Sequence, residues 1–140
     1  MRVLTALLLV TTLVGCQGFT DPLGRQDALE DSQKRYTEFV RWGDLERASR
    51  YVEPESREQF LARVPEFEHI RVTDFDVQDI EYEGEDEVNI VVTYHGFSLL
   101  HLVERRFREH QRWVRDPGIK NKWWLTTDLA QVLGEVRSGS

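Results

Sequence analysis

The sequence predicts an α+β domain in which N-terminal helices pack on one face of a curved, four-stranded antiparallel sheet. Three observations carry this expectation. Between residues 27 and 64 many apolar side chains recur at intervals of three and four, the helical period. From Ile70 to Leu125 they mostly alternate with polar residues, the strand period. Turn clusters, Glu83-Gly84-Glu85-Asp86 and Asp116-Pro117-Gly118, separate the alternating runs. Helices that all precede the strands gather on one side of an antiparallel sheet.

The first helix covers residues 27–42 and lays Leu29, Tyr36, Phe39, Val40 and Trp42 toward the core. Gly43 ends it and Asp44 caps the next helix, residues 45–52, which presents Leu45, Ala48 and Val52 with Tyr51 nearby. Pro54 suits a first helical position, so a third helix restarts there. It runs to about residue 64, burying Phe60, Leu61 and Val64 until Pro65 interrupts it. The first strand carries Ile70, Val72, Phe75 and Val77, and its phase slips at Thr73-Asp74, which marks a bulge. Ile80 and Tyr82 continue it, and Val88, Ile90, Val92 and Tyr94 alternate in the strand that returns. Residues 98–115 read two ways. Leu99, Val103 and Phe107 have helical spacing, whereas Val103, Phe107 and Trp113 share strand parity. The turn cluster after Trp113-Val114 favours one long strand, with His95 and His101 flanking a bend at Gly96. A last strand, residues 122–125, leads to a short helical or frayed tail.

A length of 140 residues supports one domain. With 18 Lys+Arg against 25 Asp+Glu and a net charge of -7, generic nucleic-acid binding is not expected. One cysteine excludes an internal disulfide framework and any multi-cysteine zinc site. The charge is uneven: residues 16–94 carry 9 basic and 20 acidic side chains, residues 95–140 carry 8 and 5. Arg105, Arg106, Arg108 and Arg112 either face Glu81, Glu83 and Glu87 across strands or form a basic face for an anionic partner or headgroups.

Arg2 is the only charge before Asp21, and residues 3–14 form an unbroken run without charge, Pro or Gly. As a helix that run spans about 18 Å, short of a hydrocarbon core of roughly 30 Å, so a signal peptide is expected and a spanning anchor is not. The run ends in Leu13-Val14-Gly15-Cys16, which resembles the lipobox of bacterial lipoproteins. The resemblance implies diacylglyceryl transfer to the Cys16 sulfur, cleavage after Gly15 and acylation (palmitate or a similar chain) of the new amine. Two or three acyl chains make a stable anchor where one does not. Gln17 stands where an Asp usually retains such proteins in the inner membrane, so the same resemblance implies an outer-membrane address on the periplasmic side. Residues 1–15 are then the signal, 16–26 a lipidated tether reaching at most about 35 Å, 27–130 the domain and 131–140 a tail.

Arg41-Trp42-Gly43-Asp44 after the first helix, Trp123-Trp124-Leu125 in the last strand and the order of elements resemble the NTF2-like family over roughly residues 27–129. That resemblance implies a cone-shaped domain. Enzymes on such cones, isomerases and cyclases, use a carboxylate base in an apolar interior with a tyrosine or acid hydrogen-bonding a developing oxyanion. Tyr36, Tyr51, Tyr94, Asp44 and Asp128 are the groups that could supply this chemistry. A cone filled by Phe39, Val92, Phe107 and Trp123 removes its footing. His69, His95, His101 and His110 form no metal-ligand pattern, and no nucleophile-elbow, P-loop or dinucleotide motif occurs, so neither metal nor cofactor is expected. Trp123 and Trp124, adjacent in a strand, must point to opposite faces. One fills the core; the other lies outside, covered by the tail or exposed as part of a binding surface. These readings converge on a membrane-tethered, non-enzymatic module that binds an envelope protein or a small apolar ligand. A small isomerase-like or cyclase-like enzyme and a structural spacer or dimer module are the alternatives.

Overall fold

The computed structural model describes residues 24–126. Cys16, the apolar run before it, Asp128 and the 131–140 tail lie outside the described residues. Four helices, α1 (Arg25–Trp42), α2 (Leu45–Ala48), α3 (Arg57–Ala62) and α4 (Val64–Phe67), precede four strands. The strands are β1 (Ile70–Tyr82), β2 (Glu87–Ser98), β3 (Glu104–Arg115) and β4 (Trp123–Leu125). They form one antiparallel meander in the order β1-β2-β3-β4. The α+β expectation, helices first and four antiparallel strands after, is met.

α1 ends where Gly43 enters the left-handed region (φ 73°) and its N–H reaches the carbonyls of Phe39 and Val40. The Asp44 carboxylate then accepts from the Arg47 N–H, capping α2 as its position suggests. α2 tightens into a 3-10 turn, Ser49–Tyr51, and Pro54–Ser56 forms another. Pro65 does not stop a helix. It sits in the first turn of α4, where a missing N–H costs nothing, and the break falls at Arg63 instead. Phe60 is buried as expected, Val64 only in part, and Leu61 is exposed.

In the sheet, the register of β1 on β2 shifts between Val72 and Asp74, where the sequence phase slips, and again between Gln78 and Ile80. The second bulge coincides with a positive φ at Asp79. Two expectations need correction. Gly96 makes no bend: it lies inside β2, paired with Val72 and Arg105. A Cβ there would stand 2.3 Å from the Arg71 carbonyl oxygen, so glycine serves the close approach of β1. Residues 98–115 are not one long strand. The chain reverses over residues 99–103, with Leu102 N–H bonded to the Ser98 carbonyl, and β3 starts only at Glu104. Leu99, Leu100, Leu102 and Val103 stand exposed on that reversal, which is why their spacing did not decide between the two periods.

The core lies between α1 and the sheet face bearing Val88, Ile90, Val92, Tyr94, Phe107 and Trp113, closed by Leu45, Val52, Phe60, Trp123 and Leu125. Of the apolar set expected to fill the interior, Val92, Phe107 and Trp123 do so, and Phe39 packs at its margin. The proposed cross-strand charge pairing is realised at one place, Arg112 with Glu87, 2.5 and 2.9 Å. Glu81 lies on β1 and Glu83 just beyond it, whereas the arginines lie on β3, and β2 runs between them. That interval is roughly 10 Å.

Candidate functional site

β3 alternates strictly: Phe107, Glu109, Gln111 and Trp113 all face the core. Two polar side chains are thereby carried into an apolar interior, where an unpaired amide or carboxylate is costly. Each is satisfied. Tyr36 of α1 donates its hydroxyl to Glu109 Oε1 at 2.6 Å, and Tyr94 of β2 donates to Oε2 at 2.7 Å. Gln111 Nε2 donates to the same Oε2 at 2.8 Å. The Gln111 carbonyl in turn accepts from Trp113 Nε1 at 3.0 Å and from Gln33 Nε2 at 3.4 Å. Thr37 Oγ1 accepts from Gln33 at 3.0 Å and from Gln111 at 3.3 Å. Glu109 is 1 % exposed, and both tyrosines are fully buried.

The rings hold the network in place. Tyr36 meets Trp113 edge-on at 5.9 Å between centroids, and Tyr94 stacks on Phe107 at 5.8 Å. Burial pushes the Glu109 carboxyl above its ordinary range, and the donors from Tyr36, Gln111 and Tyr94 pull it part of the way back. Burial beside that carboxylate raises the Tyr94 phenol well above its ordinary value. Both hydroxyls donate to the carboxyl group, and the raised Tyr94 phenol keeps its proton. The arrangement is a carboxylate held between two phenols, all its donors supplied from within.

Of the residues singled out from the sequence for carboxylate chemistry, Tyr36 and Tyr94 converge on one acid. That acid is Glu109, not Asp44, which caps α2 at the surface. Tyr51 packs against Phe39 at the margin of the core. Glu109, Gln111, Gln33 and Thr37 were missed. The signal for the first two was present, since residues 109 and 111 share the parity of Phe107 and Trp113. Gln33 and Thr37 fill the gap in the α1 stripe between Leu29 and Val40.

The tandem tryptophans part as strand geometry requires. Trp123 is buried, and its Nε1 donates to the Arg25 carbonyl at 3.0 Å, tying β4 to the start of α1. Trp124 is half-buried on the other face. Its Nε1 donates to Asp116 Oδ2 at 2.8 Å, and the Lys122 ammonium lies over its ring at 4.2 Å. A cleft of about 300 Å³ beside it is lined by Glu53, Pro54, Arg115, Asp116 and Thr126 among others. A second cleft, about 460 Å³, lies between Trp42, Leu45, Val64, Phe67 and Arg71. Neither reaches Glu109. Among the described residues no group of side chains could hold a metal ion, and no helix is long and apolar enough to cross a membrane. The chain matches no protein-family model and no curated protein sequence.

Proposed function

We propose that the chain is a lipid-anchored cell-envelope protein whose domain, an NTF2-like cone facing the periplasm, is a non-enzymatic binding or interaction module. Leu13-Val14-Gly15-Cys16, carrying the chain's one cysteine at the end of an apolar run, supports the anchor. The observation that carries the non-enzymatic half is the closure of Glu109: at 1 % exposure, with three donors already on its two oxygens, it has no face to offer a substrate. Such a network specifies how α1 seats on the sheet. It gives the interior one satisfied arrangement, because sliding α1 along the sheet would strand a buried carboxylate.

A second reading, a small isomerase-like or cyclase-like enzyme, is favoured by the same carboxylate between two tyrosine hydroxyls, the constellation such chemistry needs. It requires the interior to open around Glu109.

Both readings are testable on the full chain expressed in a Gram-negative host. Metabolic labelling with a clickable palmitate should mark the wild type and leave Cys16→Ser unmarked. Equal label on both, or none on the wild type, removes the anchor. Burial of Glu109 in solution is read by following its carboxyl carbon through a pH titration by NMR. A carboxyl that titrates in the ordinary glutamate range would restore the enzyme reading.

A further inference from the structure

The sheet has a second face, turned away from the helices. Ile90, Val92, Tyr94 and Phe107 point into the core, and the alternate residues of β1, β2 and β3 point the other way. On that outer face β1 presents Asp74, Asp76, Gln78 and Glu81, and β3 presents Arg106, Arg108, His110 and Arg112. All of these are exposed. β2 runs between the two rows and is nearly flat there, with Thr93 6 % exposed and Val91 half-buried.

The other charges of this face are Glu87 and His95 on β2, Arg71 at the start of β1 and Glu104 at the start of β3, with Asp79 at the second bulge. Glu87 pairs with Arg112 and His95 with Asp76, and the Arg71 guanidinium turns back onto the Glu68 and Ile70 carbonyls. In the β1–β2 turn, just past the rows, Glu83 is followed by Glu85 and Asp86, which pair with Arg25 and Arg115. With every one of these counted, the β1 row stays acidic and the β3 row stays basic. The rows also match level by level. Asp74 and Arg106 flank His95, Asp76 and Arg108 flank Thr93, Gln78 and His110 flank Val91, and Glu81 and Arg112 flank Asn89. Within one chain β2 holds the members of each pair roughly 10 Å apart.

We propose that this outer face is a homodimer interface, covered by a second copy of the chain about a two-fold axis that runs along β2. Such an axis lays each β1 over the β3 of the other copy, so that every acid of one row faces an arginine at its own level. The other two-fold that stacks this face on itself, running across the strands, lays β1 on β1 and sets acid against acid. Charge complementarity between two rows of one surface thus selects both the partner and the axis. Sheets packed face to face lie about 10 Å apart, within reach of paired aspartate and arginine side chains. Arg112 and Asp76 keep Glu87 and His95 as neighbours and gain an opposite charge from above. Three registered strands offer a footprint of roughly 35 by 15 Å, about 1,000 Å² over both copies, which is the size of a weak, reversible interface. The contact uses neither Cys16 nor Glu109, so it goes beyond the anchored and non-enzymatic readings and does not rest on them.

The test cross-links two copies of the full chain, co-expressed with different epitope tags and treated with a short bis-maleimide. Both copies carry Cys16→Ser, so that one added thiol is the only one in each. Asp76→Cys in one copy and Arg108→Cys in the other should join several times more than Asp76→Cys with itself or Arg108→Cys with itself. Equal yields for the three combinations overturn the proposal, as do yields no higher than those of chains without the added thiols. Yields highest between like positions assign the axis across the strands and overturn it as well. Charge reversal, in chains that keep Cys16, reads the same contact without a cross-linker. Asp74→Lys/Asp76→Lys and Arg106→Glu/Arg108→Glu each give both rows one sign at two levels. Each variant should co-precipitate with its own kind about tenfold less than wild-type copies do, and the two variants together should return to near the wild-type level. Pairing within a chain gives no such recovery. Its absence, from chains whose circular dichroism is native, overturns the proposal. The apolar run 3–14 is common to all copies and cancels in each comparison. Failure of palmitate labelling at Cys16 would remove the anchor alone, because the cross-links are read in chains lacking that thiol.

Discussion

Replacing Tyr94 with Phe deletes one oxygen from the interior and leaves the ring that stacks on Phe107 in place. The lost hydroxyl donates at 2.7 Å to Glu109 Oε2, which keeps only Gln111 as a donor. A hydrogen bond to a charged group contributes about 1.5–3 kcal/mol, one to a neutral group about 0.5–1.5. The cost should therefore depend on whether Glu109 is ionised. Its folded pKa lies above the unfolded one, so its contribution to stability is fully present below the unfolded value and is lost as pH rises through the folded value. Removing Tyr94's donor raises the folded value further and widens that loss. Tyr94→Phe should thus cost about 1 kcal/mol at low pH, where Glu109 is protonated, and about 2 kcal/mol at a higher pH, above its folded pKa. At the higher pH the melting midpoint should fall by roughly 8–16 °C for a domain of this size. Urea unfolding of both chains across that pH range measures it. In a Glu109→Gln background the pH dependence of the Tyr94→Phe cost should disappear. A cost that stays flat as pH rises through the Glu109 titration, or that lies below about 0.5 kcal/mol above it, would refute the account of a donor-stabilised carboxylate.

Trp123→Ala should lose about 3–5 kcal/mol, because it empties a core site and frees the start of α1, whereas Trp124→Ala should lose about 1 kcal/mol; thermal melts of the two variants separate them. Trp124→Phe should let the Asp116 carboxyl climb back toward its ordinary value, since the indole N–H is the first of the donors that hold it down, and an NMR titration reads this directly. Gly96→Ala places a Cβ against the Arg71 carbonyl and should loosen the start of β1, seen as faster amide exchange at Arg71 and Val72 with β3 little changed. Leu102→Gly should raise stability by up to about 1 kcal/mol, as it relieves a positive φ at a side chain that buries little; a chain that loses stability instead would contradict the strain assigned to that turn.

Local sequence determined the order of helices and strands, the cap at Asp44, the terminator at Gly43, the bulge near Thr73 and the opposite facing of Trp123 and Trp124. Each depends on φ/ψ preferences or side-chain parity within a few residues, and these are written locally. What only the tertiary structure decided are the places where distant residues meet. Glu109 reads as one more charge in an arginine-rich strand; its parity with Phe107 and Trp113 turns it inward, but nothing near it in sequence names the donors that make its burial possible. Its solvation comes from Tyr36, 73 positions away, as well as from Tyr94. The bend assigned to Gly96 and the strand assigned to residues 98–103 failed for the same reason. A glycine that admits a neighbouring backbone and a leucine left in solvent are defined by what lies across from them, and that partner is chosen when the sheet closes.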